Sequence, residues 1–106
     1  MMKIYNKLVR DKIPEIIEAD GKICKTRVLS NDEYIVALED KLNEEVAEYQ
    51  SDKNLEEMAD IFEVLQAICV ARGYSIGELE AMRVKKLAKR GGFIGRIFLE
   101  SVEDDN

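Results

Sequence analysis

Two stretches of helical periodicity, separated by four polar residues, limit this chain more than any other feature. Between residues 30 and 50 the apolar positions are Ile35, Leu38, Leu42, Val46 and Tyr49. Steps of three and four residues place these side chains on one face of an amphipathic helix. Ser30 and Glu33 have the spacing of a capping box that opens it. The run Ser51-Asp52-Lys53-Asn54 reads as a polar turn. A second helix is expected from Leu55 to Arg72, closed by Gly73. A turn this short folds the two helices back into a hairpin.

The flanking segments are less regular. Pro14 suits a helix start and Gly21 a helix stop, which predicts a short helix over residues 14–20 anchored by Ile16 and Ile17. Residues 23–29 (Ile-Cys-Lys-Thr-Arg-Val-Leu) read as a strand. Ser75 and Glu78 repeat the capping-box spacing and open a third long helix that ends at Gly91-Gly92. Residues 93–102 alternate loosely and are expected to pair with residues 23–29, ahead of an acidic tail at residues 103–106. The expected fold class is all-α: a helical hairpin plus a third long helix, with a small β element built from the two arms. At 106 residues the chain is expected to form one domain spanning residues 1–106. So few helices rarely enclose a ligand alone, so a homodimer or higher homo-oligomer is expected.

Composition excludes several chemistries. There is no histidine. His-dependent triads, His-ligated zinc and Glu-x-x-His di-iron sites are therefore ruled out. Cys24 and Cys69 are isolated, not a metal or redox pair, and suit a reducing compartment. The N-terminal residues lack an apolar signal region. The most apolar stretch, residues 61–71, is too short for a bilayer and contains Glu63 and Gln66. A cytoplasmic protein without membrane association is expected. The net charge of −6 argues against nucleic acid as a partner.

The chemistry left to such a chain lies in its carboxylates. Glu44, Glu45 and Glu48 occupy the first long helix, Glu57 and Asp60 the second. In an antiparallel hairpin centred on the 51–54 turn, Glu45 comes level with Asp60, and Glu48 with Glu57. At ~100° per residue, Glu45 lies about 20° from the apolar stripe and Glu48 about 80°, while Glu44 is further out. Glu57 falls inside the wide apolar arc of the second helix, where an acid requires a partner. Two carboxylates ~4 Å apart repel by about 4 kcal/mol at an effective dielectric of about 20. Four together need a cation or protons. Neither long helix is expected to set a Lys or Arg beside all four. An all-oxygen donor set matches Mg²⁺, with Mn²⁺ able to substitute. The same residues admit a plainer reading: solvated helix faces, with Glu57 completing a cap begun by Asn54.

The run EEVAEY followed by LEEMADIFEVL resembles the E-E-x-x-E and E-x-x-D signature of the all-α nucleoside triphosphate pyrophosphohydrolases, the MazG-like superfamily. The arms YNKLVRDKIPEIIEADGK and KKLAKRGGFIGRIFLESVE look like a small phosphoribosyl-ATP pyrophosphohydrolase-like subgroup, so the resemblance covers nearly the whole chain. It implies Mg²⁺-dependent cleavage between the α- and β-phosphates of a nucleotide substrate, giving a monophosphate and pyrophosphate. It further implies Glu45, Glu48, Glu57 and Asp60 as metal ligands and Glu44 as an accessory group. A water oriented by one of Glu44, Glu45 and Glu48 is the implied nucleophile. Eight residues separate Glu48 from Glu57, toward the short end for the superfamily.

A triphosphate also needs positive charge. The N-terminal arm offers Lys7, Arg10 and Lys12, and the third helix offers Arg83, Lys85, Lys86, Lys89 and Arg90. Arg10 and Lys12 are the leading phosphate candidates, with Asp11 as a tether, followed by Lys86, Lys89 and Arg90. The second group also reads as favourable charge at a helix C-terminus. Gly91-Gly92 reads as a phosphate-cradling turn or, more simply, a helix stop. Phe93 is the open candidate for stacking on a base; Tyr34, Tyr49 and Phe62 suit the core or an interface. Met58 and Cys69 are core by phase. Two other functions fit the same residues: the phosphoribosyl-ATP pyrophosphohydrolase of histidine biosynthesis, and a non-catalytic helical interaction module.

Overall fold

In a computed structural model, which describes residues 1–104, the chain forms four helices. They are α1 (Ile13–Ala19), α2 (Asn31–Asp52), α3 (Leu55–Ala71) and α4 (Ile76–Arg90). Each long helix starts at a side-chain cap. Ser30 accepts from the Glu33 backbone N–H while Glu33 reaches back to the Ser30 N–H, and Ser75 and Glu78 do the same for α4. Asn54 caps α3 by accepting from the Glu57 N–H. Such caps satisfy amide donors that the first helical turn otherwise leaves free.

The turn between α2 and α3 is tighter than the sequence suggests. Ser51 and Asp52 remain helical, and Lys53 alone reverses the chain in the left-handed conformation, with φ 55°. Lys53 donates its backbone N–H to the Tyr49 carbonyl, closing α2. Gly73 (φ +91°) and Gly91 (φ +80°) supply positive φ after α3 and α4, where a side chain is strained. Gly91 thus acts as a helix stop, donating its N–H to the Leu87 carbonyl.

The α2–α3 hairpin is the only extensive helix pairing; α4 meets α3 briefly, and α1 packs on no other helix among the described residues. The core is correspondingly small. Leu38, Val64 and Cys69 are its buried apolar residues, and Glu45 is buried beside them. Only one side of α3 is covered by α2. Its other apolar side, with Leu55, Met58, Phe62 and Leu65, is exposed. Met58 therefore does not join the core as its phase predicts: the arc is wider than a single partner helix can cover. Cys69 is buried as expected, and its thiol donates to the Ser75 carbonyl. Both cysteines are free thiols.

The expected β element does not form. Residues 23–29 and 93–102 contain no strand, and neither segment pairs with the other. Among the described residues no other backbone group pairs with the backbone of residues 23–29 or 97–104. The acidic tail extends beyond the description at Asp105 and Asn106, which lie outside the described residues. No helix among the described residues is long and apolar enough to cross a membrane.

The molecule measures 68 × 31 × 24 Å, with a radius of gyration of 19.1 Å. A compact domain of this length has a radius near 13 Å. The excess comes from segments that leave the hairpin instead of covering it.

Candidate metal centre

The antiparallel register carries four acids to one level near the closed end of the hairpin. Glu45 and Glu48 come from α2, and Glu57 and Asp60 from α3. One carboxylate oxygen from each lies within 4.8 Å of the other three. Glu45 is 6% exposed, Glu57 and Asp60 are half-buried, and Glu48 is exposed. Glu45 and Glu57 each direct one carboxylate oxygen, Oε2, into the interior without a hydrogen-bond partner. Leaving such an atom unsatisfied costs about 1–3 kcal/mol, more when the group is charged. These four residues and their pairing across the helices are those that spacing alone brings together.

Their electrostatics follow from crowding and lost water. Burial pushes the Glu45 carboxyl above its usual range; the Glu48 and Asp60 charges add to this, and Lys41 opposes it. Glu57 is raised too, first by loss of hydration and then by Glu48, Asp60 and Asp52. Both shifts have the sign of an anionic site short of counter-charge. Four clustered carboxylates of this kind, two of them with an unpartnered buried oxygen, can hold a metal ion.

Cations stand at the edge of this cluster. Arg10 donates to Asp60 at 2.6 Å, and Lys7 to Glu44 at 3.0 Å. Lys41, one turn ahead on α2, lies 3.2 Å from Glu45 and 3.4 Å from Glu44. Burial tends to raise the Glu44 carboxyl, but Lys7 and Lys41 outweigh it and the net shift is downward. The Asp60 bond holds the Arg10 guanidinium more firmly protonated. Glu44 is therefore tied to lysines beside the cluster, while Glu48 and Glu57 have no ion pair among the described residues.

Lys41 was not among the residues selected from sequence, although its steps of three to Glu44 and four to Glu45 are the helical signal for such a pair. The expectation that no cation on the helices reaches all four acids agrees with this, but Lys41 does neutralise one of them. Of the phosphate candidates, Arg10 lies at the cluster. Lys12 is the N-cap of α1, and Lys86, Lys89 and Arg90 are exposed on α4. None of these four makes an ion pair with the acids among the described residues. Phe93 is fully open to solvent, at 98% exposure. Tyr34 and Tyr49 are half-buried, whereas Phe62 is exposed.

Two grooves lie near the hairpin, and neither is lined by Glu45, Glu48, Glu57 or Asp60. A groove of about 70 Å³ lies beside Lys7, Lys41 and Glu44. Small-molecule sites usually span roughly 300–1,000 Å³. A larger open groove of about 360 Å³, lined by Tyr34, Glu63, Val70 and Ile76 among others, includes none of the four acids.

No family model matches the chain, and no solved structure matches it. An uncharacterized protein of Mycolicibacterium smegmatis is 57% identical over 44 residues, covering 42% of this chain and 45% of that protein. The aligned part thus spans less than half of either protein, and what this chain is similar to carries no stated activity.

Proposed function

We propose that the protein is a Mg²⁺-dependent nucleotide pyrophosphohydrolase that cleaves the α–β phosphate bond of nucleoside triphosphates, including non-canonical ones. The observation that carries this reading is the set of four carboxylate oxygens within 4.8 Å, two of them from residues with an unpartnered buried oxygen. A helix pair stabilised only by packing has no use for Glu45 in its core. Lys41 pairs with Glu45 Oε1, but Oε2 has no partner; a hard divalent cation gives it one, and the all-oxygen donors favour Mg²⁺ or Mn²⁺ over zinc. The E-E-x-x-E and E-x-x-D pattern of the MazG-like enzymes supports the same reading.

In this reading Glu45, Glu48, Glu57 and Asp60 hold the metal, which when bound supplies charge for the substrate's phosphates. Arg10, with its side chain half exposed beside Asp60, turns toward the phosphate oxygens. Lys7 and Lys41 hold Glu44 ionised beside the site. An ionised carboxylate there accepts a proton from the attacking water. Lys12, Lys86, Lys89 and Arg90 add positive charge along the substrate's approach.

The working unit is a homodimer or larger homo-oligomer in the cytoplasm. The uncovered side of α3 supports this, since a second copy gives it a surface to pack against.

The test is product analysis. The protein with Mg²⁺ is incubated with natural and modified nucleoside triphosphates and phosphoribosyl-ATP, with Asp60→Asn as control. Monophosphate and pyrophosphate from the parent, absent from the control, are expected. Turnover of phosphoribosyl-ATP alone reassigns the enzyme to histidine biosynthesis. No turnover together with no metal binding overturns the enzyme reading and favours a helical interaction module.

A further inference from the structure

Residues 93–104 combine three properties that a single chain leaves without use. Phe93, Ile94, Ile97, Phe98, Leu99 and Val102 are between 73% and 98% exposed. Burying one such side chain contributes about 1.5–3 kcal/mol, so leaving six in water is costly. Over residues 97–104 the backbone forms no hydrogen bond with other backbone among the described residues. Residues 93–104 also carry three acids, Glu100, Glu103 and Asp104, against one basic residue, Arg96, and all three acids lie in the 97–104 part.

Residues 23–29 and the preceding Lys22 have the complementary set. Ile23 and Val28 are 100% and 97% exposed. The backbone groups of residues 23–29 are equally without backbone partners among the described residues, while the Lys22 N–H donates to the Ile17 carbonyl. The charges are Lys22, Lys25 and Arg27, with no acid. Arg27 pairs with Glu33 of its own chain, which leaves Lys22 and Lys25 unpaired among the described residues. The two segments therefore match in apolar content, in free hydrogen-bonding groups and in sign of charge, yet they do not meet within one chain. Their attachment points explain why. Residues 23–29 lead into the start of α2, whereas residues 93–104 follow α4, whose 15 residues span about 22 Å and which meets α3 but not α2.

We propose that residues 93–104 form an exchange arm that pairs with residues 22–29 of a second copy of this chain, and reciprocally. A two-fold arrangement permits this: each copy offers one arm and one receiving segment, so the contact closes without leaving an edge. Strand pairing between chains satisfies the facing edge of each backbone. The area agrees. The chain exposes 9966 Å². A compact protein of its mass exposes about 6,000 Å². The surplus of about 4,000 Å² exceeds the roughly 1,000–2,500 Å² that each partner buries in an obligate dimer.

The full chain, prepared unlabelled and ¹⁵N-labelled, is co-refolded as a mixture and treated with a zero-length carbodiimide. Cross-linked peptides joining Lys22 or Lys25 to Glu100, Glu103 or Asp104 are expected with mixed label. The same peptides with like label only place the contact within one chain and overturn the proposal, as does their absence. In parallel, sedimentation is expected to give at least twice the 12.1 kDa chain mass. Phe98→Asp combined with Leu99→Asp is expected to reduce it to one chain with helix content retained. An unchanged mass overturns the proposal. If that variant does not fold, the cross-links in the parent decide. Neither readout involves turnover, so failure here leaves the hydrolase reading standing, and the reverse holds as well.

Discussion

Near the closed end of the α2–α3 hairpin, carboxylates are drawn together and partly withdrawn from water. From Phe93 onward, large apolar side chains stand almost wholly in water. Folding of an isolated chain normally avoids both arrangements: like charges spread out and apolar groups are covered. The two regions therefore fail as parts of a lone monomer in opposite ways. The difference tells what each lacks. The hairpin has a packed seam between α2 and α3 and is short of positive charge beside its acids; the arm has its charges solvated and lacks a surface to rest on. In the readings proposed above, a cation meets the first deficit and a second copy the other.

The comparison can be broken most strongly at the acids. Glu45→Gln or Asp60→Asn is expected to lower turnover of the preferred nucleotide at least about 100-fold, because loss of even an outer partner of a metal ligand costs 10–100-fold. Steady-state rates at saturating Mg²⁺ measure it. The metal-free stability should move the other way for Glu57→Gln. Glu57 has no ion pair, and the substitution removes one of the crowded charges, so the thermal midpoint of the metal-free protein is expected to rise.

Packing separates the regions next. Leu38→Ala, at a position 3% exposed, is expected to cost about 2–5 kcal/mol in denaturant unfolding. Leu99→Ala, at 73% exposure, is expected to be neutral within about 0.5 kcal/mol when the protein is dilute. At high concentration it should become costly, because the arm then has a partner. The midpoint of the parent should correspondingly rise with protein concentration.

A smaller effect comes from pH. Glu45 and Glu57 titrate above their ordinary value of 4.5 in the fold, so their ionised forms weaken it. Without metal, stability is expected to rise as pH falls from neutral through these raised values toward 4.5. Mg²⁺ should flatten that slope, since it favours the ionised forms. Glu33 has the opposite sign: the Arg27 bond and the Ser30 cap lower it to about 2. Its contribution is present above its unfolded value near 4.5 and is lost as pH falls toward 2. Helix content followed by circular dichroism across this range resolves the two. The smallest change is Ser30→Ala, expected to cost about 1 kcal/mol by removing the α2 cap.

Much of the hairpin was legible because its signals are local. The steps between Ile35, Leu38 and Leu42 set the buried face, Ser30-Glu33 and Ser75-Glu78 set two starts, and the short turn set the pairing of Glu45 with Asp60. Even Lys41 obeys a helical interval. The arms were misread for the opposite reason. Alternation in residues 23–29 and 93–102 states a capacity to pair, not which partner is in reach. The ion pairs Lys7–Glu44 and Arg10–Asp60 join residues 37 and 50 positions apart, and no interval announces them. Met58 shows the same limit: phase says which side of α3 it occupies, but not whether anything covers that side.

The sequence by itself thus determined the helices, their caps and the level at which four acids meet, since these depend on spacing within one helix or across one short turn. Tertiary structure alone decided that Arg10 and Lys7 close on those acids, that one side of α3 stays bare, and that the arms find no partner in their own chain. Those outcomes depend on where separate elements come to rest in space, which is set by the sum of many weak contacts and not by any local pattern.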